Sequence, residues 1–231
     1  MHKYGSDCIK TTNTGGYVRP GDDPARLAWF DHEMTAQCET AAQLGLPVAV
    51  HTGATEGCKQ AICCGARSLE HAYLIDDEAI GMAEDAGTFI VPTMQMTQED
   101  LQALRQGQLT PYTAAKIERD AEQILDAQRR IAASRAKIAY GTDCGMFPFS
   151  HGNLEFQAMV KAGLDPARAL RAATGTAAEL LGRSDIGVLA PGALADIVAM
   201  PGNPITDIAT TTTVDFVMIA GVLRRQPEPG L

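Results

Sequence analysis

Four residues, Lys10, His51, His71 and Asp143, close short apolar runs that read as buried strands: 8–10, 47–51, 68–71 and 138–143. Metal ligands at the C-terminal tips of successive parallel strands are how a (β/α) barrel builds a hydrolytic metal site. Neutral imidazole is the commonest ligand for zinc and related ions. One histidine alone is more simply a hydrogen-bonded core residue, but two at equivalent strand tips favour ligation. Asp143, within Gly141-Thr142-Asp143, can ligate a metal and accept a proton from an attacking water, or it can cap the following helix. Lys10 is the odd member. An ammonium at a buried strand mouth must shift its pKa, pair with an acid or be modified, because a plain cation repels a metal. On the residues alone, a salt bridge to an acid in the same cleft is the simplest reading.

Three further residues are candidate substrate contacts. Tyr17 and Arg19 follow Lys10 in a turn-rich loop and suit a substrate carboxylate, although an exposed loop role is simpler for each taken alone. His151, before Gly152 and Asn153, either contacts substrate or starts the next helix. His2 and His32 read as surface residues. The stretch Asn13-Thr14-Gly15-Gly16 is too short for a nucleotide-binding fingerprint.

The elements that must position these residues alternate between short apolar strands and helix-like segments, the pattern of an α/β fold with a parallel sheet. Strands are expected at 8–12, 48–50, 69–70, 89–92 and 138–141. Helices are expected at 31–44, 56–64, from Asp76 onward, 98–105 and 112–135, then at 153–162, 165–173 and 176–181. His51, His71 and Thr93 lie about twenty residues apart, close to the minimum for a strand–helix–strand crossover. From Ile186 the texture changes to short strands around tight turns, a small β appendage.

Net charge is −9, so there is no basic footprint for nucleic acid or an anionic membrane. No apolar run approaches the roughly 20 residues of a membrane helix. The six cysteines lack Cys-x-x-Cys spacing and are expected as reduced thiols. Residues 1–12 lack the basic-then-apolar pattern of a secretion signal, and a cytoplasmic location is the expectation.

Together these motifs resemble the amidohydrolase superfamily, most closely its imidazolonepropionase-like and Xaa-Pro dipeptidase (prolidase) branch. The matching stretches run from Tyr4-Gly5-Ser6-Asp7-Cys8-Ile9-Lys10 through Thr14-Gly15-Gly16, Val50-His51, Leu69-Glu70-His71 and Gly141-Thr142-Asp143. They continue with His151-Gly152-Asn153, the segment 172–178 and the segment 187–196. The resemblance implies a (β/α)8 TIM barrel holding one or two divalent metals, usually zinc. It gives Lys10 the role of a carboxylated lysine whose carbamate bridges the metals, which converts a cation into an anionic ligand. It makes His51, His71 and Asp143 further ligands, with Asp143 as the catalytic proton shuttle. The implied reaction is hydrolysis of a C–N bond, amide or cyclic amide, in a small molecule or dipeptide.

One departure is large. The family opens its barrel with a His-x-His pair on the first strand, and this chain contains none. The expectation is therefore a partial barrel, about strands 4–8, over residues 1–185, followed by part of a small β-sandwich over 186–231. The chain would be the C-terminal portion of a metal-dependent hydrolase, with Met1 an internal methionine, and would be inactive and poorly soluble in isolation. The alternative is a non-catalytic remnant that serves as an interaction module, pairing an open sheet edge with another copy in a homo-oligomer or with a partner.

Overall fold

The structure, a computed structural model, describes residues 5–226; His2 lies outside them. Five parallel strands form one sheet in sequence order: β1 (Ile9–Thr12), β2 (Val48–Ala54), β3 (Ser68–Leu74), β4 (Phe89–Val91) and β5 (Lys137–Ile138). Consecutive strands are neighbours throughout, as the regular spacing of the histidines required. No strand among the described residues bridges β1 and β5, so the five strands form an open parallel sheet.

The register sorts the side chains into two faces, because strand side chains alternate. Thr11, Val50, Leu69, Ile90 and Ile138 lie in one row on the helix-covered face. Of these, Val50, Leu69 and Ile90 are wholly buried, and they pack on Met34, Ile62, Ile80, Ile131 and Met159 from the surrounding helices. The opposite face carries the row Thr12, His51, Glu70 and Val91, with Lys10, Ala49, Ser68, Phe89 and Lys137 one step behind it. Chemistry therefore sits on the inner face and the apolar core on the outer one.

Local signals set the helices. The helix α1 (Asp31–Gln43) starts where the Phe30 amide donates to the Glu33 carboxylate, and it stops before Gly45, whose φ is +69°. The short helix α2 (Thr55–Cys63) follows β2 directly. Asp76 caps α3 (Asp77–Ala86) by accepting from the Ala79 amide at 2.8 Å. Next come α4 (Met94–Arg105) and α5 (Pro111–Ala133), the latter with Thr110 as its cap and Pro111 at its first position. Ile117, Asp120, Ile124, Ala127 and Ile131 form the buried stripe of α5 at helical spacing. A 3-10 turn over Phe149–Leu154 leads into α6 (Glu155–Lys161), then α7 (Pro166–Ala172), capped by Asp165, and α8 (Gly175–Leu180). Asp165 accepts from the Arg168 amide, and Pro166 stands at the first position of α7.

Three expectations need correction. The fifth strand is only two residues long rather than 138–141, because the Tyr140 amide leaves the ladder to donate to the Ala172 carbonyl of α7. The fourth helix begins at Met94 rather than near residue 98. The third strand does not end at His71 but continues to Leu74.

The appendage is a three-stranded antiparallel sheet of β6 (Ile197–Ala199), β7 (Phe216–Ile219) and β8 (Val222–Arg225). Ala220 and Gly221, at φ +49° and +77°, form the two-residue hairpin between β7 and β8. All six cysteines are free thiols. No helix among the described residues is long and apolar enough to cross a membrane.

Candidate active site

The C-terminal end of the sheet is where the backbone departs from ordinary conformations. Among the described residues, five non-glycine residues have positive φ, and four of them lie here: His71 (+71°), Ala72 (+51°), Thr93 (+47°) and Asp143 (+54°). Each such conformation costs an L-residue about 1–2 kcal/mol, so the fold must over-determine it. In β3 the consequence is geometric. His71 follows Glu70, which points to the inner face, and simple alternation would turn His71 toward the helices. The irregularity between Thr52 and Ala54 in the β2–β3 register, with the left-handed pair His71-Ala72, redirects the imidazole.

As a result the His51 and His71 rings meet edge to face with centroids 4.6 Å apart. Burial lowers the His71 pKa well below that of a free imidazole, and the neighbouring His51 and Lys10 push it the same way. Burial also lowers that of His51, against the hydrogen bond to the Gly15 carbonyl. Both rings are thus held neutral, the form that binds a metal. His71 Nδ1 lies 2.8 Å from Thr93 Oγ1; when it donates there, Nε2 keeps its lone pair. His51 Nε2 lies 3.4 Å from the Gly15 carbonyl, and donation there leaves Nδ1 as the free acceptor.

Aromatic rings back this pair. Tyr73 stacks on His71 at 4.9 Å, and Tyr17 packs edge-on against Tyr73 at 5.1 Å. Above them opens a cavity of about 330 Å³ whose walls include His51, Tyr17, Tyr73, Arg19, Asp100 and Asp143. Asp100 is a carboxyl pushed up to about 6, first by burial and then by Glu99. The cavity wall formed by the loop after β1 is clamped to α5. Lys116 Nζ donates to the carbonyls of Gly16, Tyr17 and Arg19 at 3.1, 3.2 and 2.8 Å, and Arg119 pairs with Asp23 at 3.0 Å.

The residues singled out from sequence are placed unevenly. His51, Asp143, Tyr17 and Arg19 line one cavity and His71 packs directly beneath it. Tyr17 offers that cavity its ring, because its hydroxyl donates to Asp120 at 3.0 Å. Lys10 is not at a strand tip: it is the second residue of β1, two positions behind Thr12, which pairs with His51. It lines a neighbouring hollow with Ser68, Glu70 and Leu180. Its side chain keeps solvent contact, yet surrounding protein lowers its ammonium pKa, against the pull of Glu70 and Asp143. Glu70 shifts upward by burial, against Lys10 and the Ser68 hydroxyl. His151 stands beside the cavity rather than in its wall, with Nδ1 2.9 Å from Glu99.

The two imidazoles suit a divalent ion in type, spacing and protonation. Among the described residues, no group of three His, Cys, Asp or Glu side chains gathers closely enough to hold one.

Sequence reading missed Tyr73, Thr93, Asp100, Asp120 and Glu155. Tyr73 had a signal, two residues after a strand-tip histidine. Asp120 had another, an acid within the apolar stripe of α5. Thr93 had only its position, one unit beyond His71 at the next strand tip, and Glu155 had none, since their roles depend on contacts between distant segments.

Comparison with known proteins places this geometry. Ochratoxinase of Aspergillus niger is 30% identical over 209 residues, covering 89% of this chain and 43% of that protein. Imidazolonepropionase of Cutibacterium acnes is 30% identical over 235 residues, covering 93% of this chain and 52% of that protein. The crystal structure of a Xaa-Pro dipeptidase with methionine bound in its active site superposes with a TM-score of 0.90 at 33% identity, over 97% of this chain and 56% of that one. The chain thus spans about half the length of the relatives it matches. The amidohydrolase family model matches residues 1–224, and the chain is a member of the amidohydrolase family.

Proposed function

We propose that the chain contributes to a metal-dependent hydrolase of amide or cyclic amide C–N bonds, with small molecules or dipeptides of the Xaa-Pro type as substrates. The observation that carries this reading is the neutral His51–His71 pair, 4.6 Å apart, beneath a cavity lined by Asp143. His51 and His71 would hold a divalent ion, with zinc the proposed species. A bound ion supplies polarisation of the scissile carbonyl and a water acidified toward neutral pH. Asp143, with its backbone held left-handed, presents a carboxylate as a further ligand and as the group that takes a proton from water and returns it to the leaving nitrogen. Arg19 receives a substrate carboxylate, a role its guanidinium fork suits, and Tyr17 and Tyr73 form an apolar wall. His151 flanks the entrance. Lys10, once carboxylated, would bring an anionic oxygen toward the site from the next hollow. The cavity volume is at the small end of the ligand-site range of roughly 300–1,000 Å³, which fits a dipeptide. The division near residue 185 into a barrel part and a small β unit belongs to the same proposal.

Zinc titration of the purified chain, with H51Q and H71Q variants alongside, tests the reading; Xaa-Pro turnover is then measured with zinc added. Zinc affinity should fall at least tenfold in each variant. Affinity indifferent to both histidines sinks the reading. A second reading, an interaction module, is favoured by the unpaired edges of β1 and β5, since exposed parallel edges invite pairing. A defined oligomer in light scattering, with no zinc response, would favour it.

A further inference from the structure

We infer that Glu155 is a positioning residue for the histidine pair, releasing the Thr93 hydroxyl to orient His71. The inference rests on the reading of His71 as a ligand.

The argument begins with an anomaly at the start of α4. Thr93 occupies the N-cap, where a threonine ordinarily turns its hydroxyl onto the first free amides of its own helix. Here it makes no such bond. Its backbone is left-handed, and Oγ1 lies 2.8 Å from His71 Nδ1 instead. The amides it leaves unserved are met by another segment. The Glu155 carboxyl accepts from the Met94 amide at 2.8 Å and from the Gln95 amide at 2.6 Å, one on each oxygen. Glu155 is the first residue of α6, about sixty positions away, and is wholly buried. Capping has thus been divided: Glu155 closes the helix and Thr93 faces the site.

A threonine that caps its own helix takes an extended backbone, so Thr93 could serve these amides only by leaving the left-handed conformation that points Oγ1 at His71. Burial pushes the Glu155 carboxyl up to about 8, against the two amide bonds that favour its charge. What Glu155 adds is the freedom of the Thr93 hydroxyl. Without it, the unserved Gln95 amide would draw Thr93 toward the extended capping conformation, and the imidazole would lose the contact that selects its tautomer.

The test reads the imidazole directly. Long-range nitrogen–proton NMR on the histidine-labelled chain, with His71 assigned through H71Q, reports which ring nitrogen carries the proton. Wild type should show His71 in one tautomer. E155Q keeps one acceptor oxygen where two amides converge, and E155A keeps none. Both should move the His71 ring signals toward a tautomer mixture, E155A more. T93V should reproduce the E155A spectrum, and T93S, which keeps the hydroxyl, should restore the wild-type one. Adding T93V to E155A should change His71 little further. Zinc affinity should fall about tenfold in E155Q. His71 signals unchanged in both Glu155 variants, with only the Met94 and Gln95 amides shifted, would overturn the inference. If E155A does not fold, E155Q and the Thr93 pair still decide it. If wild type binds no zinc, the ligand reading fails while the ring signals still report on Glu155.

Discussion

The Tyr17 hydroxyl donates to the Asp120 carboxylate across 3.0 Å, joining residues 103 apart in the chain. Both side chains are buried, and Arg119 completes the pairing by donating to Asp120 at 2.7 Å. This contact fastens the cavity loop to the helix behind it. Y17F should lower stability by about 1.5–3 kcal/mol, the range for a hydrogen bond to a charged group. D120A should cost at least as much, because it strands both the phenol and the guanidinium. Urea unfolding followed by circular dichroism measures both; a Y17F midpoint equal to wild type would show that the contact carries no load.

The same loop is packed with no space to spare at Gly15. A methyl group there would lie 2.5 Å from the Asp23 amide nitrogen and 2.7 Å from its carbonyl oxygen. Those are backbone atoms and cannot swing aside. G15A should therefore destabilise by about 1–3 kcal/mol, the cost of overpacking, and should displace the turn carrying Arg19 and Asp22. Faster proteolysis within 16–26 is the expected readout.

Glu155 should give stability a pH dependence of defined sign. Its carboxyl titrates near 4.5 in a free chain and at about 8 in the fold. Between these values the folded state holds a proton that the unfolded state has released. Stability is therefore full below about pH 4.5 and is lost as pH rises through 8, by about 1.4 kcal/mol per pH unit at most. His51 and His71 oppose this at lower pH, because imidazoles whose pKa falls on folding add stability as pH rises toward 6.5. Comparing E155Q with wild type isolates the glutamate. Urea midpoints at pH 6 and 8.5 should fall in wild type and change less in E155Q.

Leu69 occupies the middle of the helix-facing row of the sheet and is wholly buried. L69A should cost about 2–5 kcal/mol, the range for a core leucine. Leu189, 81% exposed, is the control, and L189A should stay within about 0.5 kcal/mol of wild type. Comparable losses in the two variants would contradict the assignment of the core to this row.

Much of the fold was legible because its punctuation is local. Gly45 stops a helix, and Asp76 and Asp165 start them, each through a bond within a few residues. The errors share a different cause. The β5 strand is cut short by a bond to Ala172, and α4 starts early because Glu155 reaches its first amides. Neither partner can be found by reading along the segment concerned. The site divides the same way. The histidine pair was visible as two strand tips one unit apart. The turn that brings the rings together was not, because His71 and Ala72 take left-handed conformations with no glycine to announce them. The free hydroxyl expected of Tyr17 was absorbed by a helix that follows it by a hundred residues.

The cluster of left-handed residues also shapes how this protein can change. At Ala72 a glycine would relieve about 1 kcal/mol of backbone strain and, by that measure, make a sturdier molecule. It would also loosen the turn that aims His71. Selection for robustness and selection for the site thus pull in opposite directions at the same codon. Screens for heat-resistant variants should recover A72G and similar relief at Thr93, and those variants should be the ones that bind zinc less well.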